Sequence, residues 1–222
     1  GVCGYNKGGI VTGCHNSGKV TGNSYNTGGV CGKNEGTLEN SSNNGEVTGN
    51  GFYTGGVCGY NKSGSVNGCY NTGKVTGTSS VGGVCGENTG KLQECSNNGE
   101  VTGTWTVGGV CGNNYGGTVE GCYNTKAVTG EGTVGGVCGQ NANSGTVEGC
   151  HNEGDVTSTY TSTNLADEVK IGGVCGVCGS GYFPGTVQES YNTGKVTGTS
   201  SVGGVCGYIA NGILEKSYNT YT

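Results

Sequence analysis

The chain has 222 residues, of which 53 are glycine and 14 cysteine, with one proline, no methionine and only 31% apolar residues. A quarter share of glycine without a strict third-residue period is not collagen, and so few apolar residues argue against a conventional globular core. The net charge is −5 and every basic residue is a lysine, which argues against nucleic-acid binding, and no window nears the ~18 apolar residues of a membrane span.

The first residues, Gly1-Val2-Cys3-Gly4, already lie inside a repeated motif, with no initiator Met and no apolar leader. They read as part of a longer protein whose targeting signals lie elsewhere. The motif Val-Cys-Gly recurs with its cysteine at 3, 31, 58, 85, 111, 138, 175 and 206, so most units are 26 to 28 residues long. Next in each unit comes an aliphatic residue between polar neighbours: Val11, Leu38, Val66, Leu92, Val119, Val147, Val187 and Leu214. A small residue, any residue and Asn follow, as in Cys14-His15-Asn16, Ser41-Ser42-Asn43 and Cys69-Tyr70-Asn71. The unit closes on Val-Thr-Gly or Val-Thr-Ser, with Val at 20, 47, 75, 101, 128, 156 and 196.

No window has helical amphipathicity, and each run of three to five β-prone residues is too short to hold a sheet alone. Stacked on the same run of the next unit, it can pair along its length. The sequence therefore predicts an all-β fold, a right-handed parallel β-helix of about eight coils of ~27 residues with three short strands each. Residues 1–222 form one solenoid domain, with the Val-Thr-Gly valines in one internal column. In the Val-Cys-Gly strand, alternation lets either the Val or the Cys face inward, unless the flanking glycines bend it. The repeated asparagines, including Asn6, Asn34, Asn61, Asn88, Asn114 and Asn141, are expected to form turn ladders. The period breaks once, and the excess falls into insertion loops at about 158–170 and 178–185.

The unit Gly-Gly-Val-Cys-Gly … Gly-Thr-Val-Glu-Gly-Cys-Tyr-Asn-Thr … Val-Thr-Gly resembles the GLUG repeat of large bacterial surface proteins. That family includes adhesin-like cell-wall proteins and some immunoglobulin-A metallopeptidases of Gram-positive bacteria. The resemblance covers almost the whole chain. It implies an extracellular, cell-wall or cell-surface β-solenoid without catalytic residues of its own. The departure is Cys where the family's Gly-Gly-Leu-Val-Gly carries an aliphatic residue.

Three readings of the cysteines stand: stacked thiols, some disulfides, or a metal site. Eight first-landmark cysteines face only five second-landmark ones, because Ser41, Ser190 and Ser217 replace the rest. Exchange of Cys for Ser suits a small, slightly polar buried slot, which favours stacked thiols. Cys175-Gly176-Val177-Cys178 is a single pair without a second pair or nearby His, and its second half reads as a slipped landmark. His15 and His151 read as solvent-facing substitutes for Tyr. No metal and no cofactor is expected.

Catalysis finds no constellation. Glu39, Glu120, Glu148 and Glu215 occupy one repeat position and read as a solvated row, and no Ser–His–Asp set stands out. Binding has better candidates. Six residues before the landmark cysteine stand Tyr25, Phe52 and Trp105, with Tyr53 beside Phe52. Tyr70, Tyr123, Tyr191 and Tyr218 share the middle of the second landmark, and the first insertion carries Tyr160. Aromatic rows can stack on sugar rings or protein partners, and they can equally just cover a sheet.

The expected function is a non-enzymatic stalk or adhesive surface, whose partners are other domains of the same polypeptide. The alternative is a module binding a glycan or a host surface protein through the aromatic rows. A remoter one is an ice-binding solenoid, from the threonine pairs Thr76/Thr78, Thr102/Thr104, Thr157/Thr159 and Thr197/Thr199. Unpaired terminal strands are expected to support weak end-to-end self-association.

Overall fold

The computed structural model describes residues 1–161, 169–180 and 182–221. Its described residues hold 38 short strands and no helix, in five parallel ladders running the length of a β-solenoid of about eight coils. One coil shows the order: Cys85–Asn88, Lys91–Gln93, Ser96–Asn97, Val101–Gly103 and Thr106–Gly108. The first three sheets have eight strands each and the last two have seven. The landmarks mark four of these strands. The other, exemplified by Thr106–Gly108, is carried by a short run that ends in glycine, Thr-Val-Gly or Ser-Val-Gly in four of the seven coils, and leads straight into the next landmark.

Every ladder is in register, like on like. Cys58 pairs with Cys31 and Cys85, Val66 with Leu38 and Leu92, Asn71 with Asn43 and Asn97, and Val75 with Val47 and Val101. The Val-Thr-Gly valines form the expected internal column, buried from Val47 to Val156. A corner precedes each asparagine strand, and its residue is left-handed in all eight coils: Gly13, Asn40, Gly68, Glu94, Gly121, Gly149, Glu189 and Lys216. Four of these sites carry a β-carbon that the conformation disfavours.

Two apolar columns run side by side. The larger joins Val84, Cys85, Leu92 and Cys95 with their equivalents, and the smaller joins Val75, Val81, Val101 and Val107 with theirs. In sequence, the Gly82-Gly83 pair and Asn97 each lie between residues of the two columns. They meet in space: a β-carbon on Gly83 would fall on the Gly109 carbonyl and the Asn97 amide. Glycine is required there because backbone and amide leave no room.

Strict alternation fails at the Val-Cys step. Val30 and Cys31 are both fully buried in the same column, as are their equivalents from Val57 and Cys58 to Val174 and Cys175. The reason is a bend: the N–H groups of Val30 and Cys31 both donate to the Val57 carbonyl, at 2.9 Å each. The Val therefore sits on the corner, one residue before the strand begins at Cys31.

The long turn from Asn152 to Asn192 keeps this register. Asn152 Nδ2 still donates to Asn192 Oδ1, at 2.7 Å, across 40 residues of chain. The excess sits at two corners. Val156 to Ile171 spans 15 residues where Val128 to Val134 spans 6, and Cys178 to Thr186 spans 8 where Asn141 to Thr146 spans 5. Ser158 and Cys178 themselves belong to strands, so both insertions begin one residue later than expected. Residues 162–168 of the first lie outside the described residues. Its far end returns with Val169 packed into the smaller apolar column. The second turns on a bridge in which Ser180 and Phe183 exchange N–H···O bonds of 3.0 Å.

Candidate functional surfaces

Two asparagine ladders hold the coils together. One runs through all eight coils from Asn16 to Asn219, the other from Asn6 to Asn141. Short of the last rung of each ladder, each Nδ2 donates one proton to the Oδ1 of the next coil and one to a carbonyl of its own turn, as Asn97 does to Asn124 Oδ1 at 2.8 Å and Gly99 O at 2.6 Å. Both amide protons are thus satisfied inside a buried column, the condition for burying an amide without penalty.

The second ladder ends where Cys178 pairs with Asn141. Cys178 is therefore not a slipped Val-Cys-Gly landmark. It fills the asparagine position, and its thiol donates to Gly185 O at 3.2 Å, much as Asn141 donates to Gly145 O. Burial pushes this thiol up to about 12.

The cysteine columns have two different chemistries. First-landmark thiols stand among Val and Leu and donate to the carbonyl two residues on, Cys85 to Glu87 O at 3.0 Å. Second-landmark thiols also accept: Cys122 Sγ takes the Cys95 N–H at 3.3 Å and donates to Glu120 O at 3.3 Å. Serine does the same work at Ser190, whose Oγ takes the Cys150 N–H at 3.1 Å and donates to Gln188 O at 2.8 Å. That dual role explains why Ser replaces Cys only in this column. All fourteen cysteines stand as thiols, eleven of them buried. Burial drives Cys111 and Cys122 well above the ordinary thiol value, and hydrogen bonding with Cys31 and Cys85 does so for Cys58. A raised value means a neutral, unreactive thiol.

The aromatic residues sort into three groups. Tyr25 (64% exposed) and Phe52 (51%) stack at 4.9 Å and 12°, and Tyr53 tilts against both Phe52 and Tyr60. Trp105 (67% exposed) occupies the same column two coils beyond Phe52, with Ser79 between. On the third sheet Tyr123, His151, Tyr191 and Tyr218 form a continuous stack with centroids 4.9 to 5.3 Å apart. His151 is thus half-buried between two rings rather than simply solvent-facing, and burial lowers its pKa so that it is neutral at pH 7. Tyr70 is exposed between Ser42 and Ser96 and lies apart from these rings. Tyr160 is half-buried against the smaller apolar column, away from the exposed rows.

Charged groups line the outer faces. Tyr5, Lys33, Tyr60 and Glu87 share the outward column of the first sheet, a set that adding two to each landmark cysteine would have found. Lys33 and Tyr5 bond Glu35, at 2.8 and 2.7 Å, and hold its carboxyl down to about 2. Burial beside Tyr53 raises Glu87 instead. The glutamate row lies in register on the second sheet, where Glu120 bonds Lys91 at 2.8 Å. The threonines of the fourth sheet form an unbroken column from Thr21 to Thr197. Their expected partners sit off the sheet at the corner, where Thr78 Oγ1 donates to Gly51 O at 2.9 Å. Among the described residues no three His, Cys, Asp or Glu side chains are grouped to hold a metal, and no helix is long and apolar enough to cross a membrane.

The family model for the GLUG motif matches residues 103–129 and 130–157. Residues 103–157 are two GLUG repeats. Each match spans one complete coil, from one Val-Thr strand to the next, so the GLUG unit and the solenoid turn coincide. The other coils carry the same landmarks in the same register. No curated protein and no solved structure matches the chain.

Proposed function

We propose that this GLUG solenoid is a non-enzymatic, rigid segment of an extracellular bacterial surface protein, which sets other domains of the polypeptide at a distance or offers an adhesive face. The observation behind this reading is the asparagine ladder that ties every coil to the next without a break, including the coil that carries the insertions. Stacked coils joined at backbone and core resist bending. Eight coils at strand spacing make a column of roughly 35–40 Å. Small-angle scattering should return one fixed maximum dimension from low to high salt. A profile of flexibly linked parts would end the spacer reading. Antibody raised against the solenoid should label intact producing cells, and label confined to lysed cells would end the surface reading. The exposed column of Tyr25, Phe52 and Trp105 favours a second reading, a module that binds carbohydrate.

A further inference from the structure

The column that carries Tyr25, Phe52, Ser79 and Trp105 is an aromatic ladder with one ring missing. The backbone fixes the equivalence. Ser80 N donates to Phe52 O, Thr106 N to Ser79 O and Thr133 N to Trp105 O, at 2.8, 3.0 and 2.7 Å, so these residues occupy one position in successive coils. Where both neighbours carry rings, as at Tyr25 and Phe52, the rings lie nearly parallel at 4.9 Å, one coil rise apart. Phe52 and Trp105 are two rises apart, about 10 Å. That gap takes one further flat ring. Among the described residues Trp105 stacks on no other aromatic side chain, and Gly132 offers none on its far side.

We propose that this gap is a binding slot for a single pyranose ring of a glycan, sandwiched between Phe52 and Trp105 above Ser79. The choice of a sugar follows from the surroundings. The slot walls are apolar ring surfaces, which match the C–H faces of a pyranose. Its margins are polar: Ser79 is half-buried at the floor, and Asn50, Thr78 and Thr104 stand at the neighbouring corners. A sugar presents several hydroxyls around its edge to such groups, whereas an aromatic side chain of a protein partner offers one polar group at most. The slot rests on the carbohydrate-binding reading and narrows it to one coil position.

Trp105 is the only tryptophan in the chain, so its emission reports on the slot directly. The intact chain is titrated to millimolar concentration with cellohexaose, chitohexaose and mannohexaose, and separately with N-acetyl-tyrosinamide. At least one hexasaccharide should shift the emission to the blue and protect it from acrylamide quenching. Phe52→Ala should weaken that response about tenfold, the worth of one ring contact. Ser79→Tyr should supply the missing ring from within. It should leave the far-UV circular dichroism unchanged, move the Trp105 emission to the blue without ligand, and abolish the sugar response. A Ser79→Tyr variant that binds the saccharide as tightly as the parent would overturn the slot while leaving carbohydrate binding in place. No response to any of the three saccharides would overturn both, and a response to N-acetyl-tyrosinamide alone would show that the gap takes a protein side chain instead.

Discussion

Asn97→Ala removes the central rung of the longer asparagine ladder. Asn97 is fully buried and takes part in four hydrogen bonds. Its Nδ2 donates to Gly99 O and Asn124 Oδ1, and its Oδ1 accepts from Asn71 Nδ2 and Gly99 N. At about 1 kcal/mol net per bond the loss is about 4 kcal/mol, and orphaning a buried amide proton on Asn71 and the Oδ1 of Asn124 takes it to about 6 kcal/mol. Asn97→Asp should be worse still, because a carboxylate cannot donate and sets its charge against Asn124 Oδ1 and Gly99 O in a dry column. Asn50 is the control: its bond to Asn23 Oδ1 has a similar length, 3.0 Å, but is solvent-exposed. Asn50→Ala should therefore cost under ~0.5 kcal/mol. Urea unfolding followed by circular dichroism gives both values. Hydrogen exchange should rise most in the coils on either side of residue 97, because each coil touches only its neighbours. An Asn97→Ala variant within 1 kcal/mol of Asn50→Ala would refute the claim that the ladder fastens the coils.

Three further outcomes follow from the same geometry. Cys122→Ser should be tolerated while Cys122→Val leaves the buried Cys95 N–H without an acceptor and costs about 1–3 kcal/mol, and Cys85→Val in the other column should cost less than Cys122→Val; chemical denaturation of the three variants orders them. Glu94→Gly should stabilise the fold by about 0.5–1 kcal/mol, since Glu94 sits at φ 52° in a corner where its repeat equivalents Gly68 and Gly121 are glycine; an unchanged or lower melting temperature would count against the corner argument. The buried thiol of Cys178 is pushed up to about 12 chiefly by burial, above its value in the unfolded chain, so its stabilising effect is complete below about pH 8.5 and is lost as pH rises beyond it, by up to about 1.4 kcal/mol per pH unit. Reversible unfolding between pH 7 and 10, under reducing conditions, should show a flat region followed by a steep fall, and a flat profile throughout would contradict it.

The period carried most of the fold. Landmarks recurring every 26 to 28 residues, each too short to stand alone, admit few arrangements besides stacked parallel coils, and they placed the valine column and both asparagine ladders. Local features were harder to read. Val30 and Cys31 share an interior because two successive N–H groups converge on one carbonyl, a bend that alternation cannot anticipate. The role of Cys178 depended on counting from Cys175 to the asparagine position rather than on the Val-Cys-Gly spelling around it. Among the surface rings, Tyr25 and Phe52 could be placed in one column from sequence, but the contact of Tyr53 with Tyr60 joins two different sheets and needed the coil's cross-section. His151 resembled a solvent-facing replacement for Tyr, and only the stack shows it clasped by Tyr123 and Tyr191.

The turn from Asn152 to Asn192 separates two quantities that most folds keep linked, the perimeter of a turn and its pitch. Twelve residues more than in the preceding coil enter between Asn152 and Asn192, yet the amide rung across them is 2.7 Å long, like those above and below. The perimeter is free to grow at the corners because only the strand segments are held from coil to coil. Such a molecule behaves as a ruler on which tags of varying length can be hung without moving its graduations. A foreign peptide grafted between Ser158 and Val169 would then be carried outward at a fixed height along the axis, and several grafts in different coils would keep their mutual spacing.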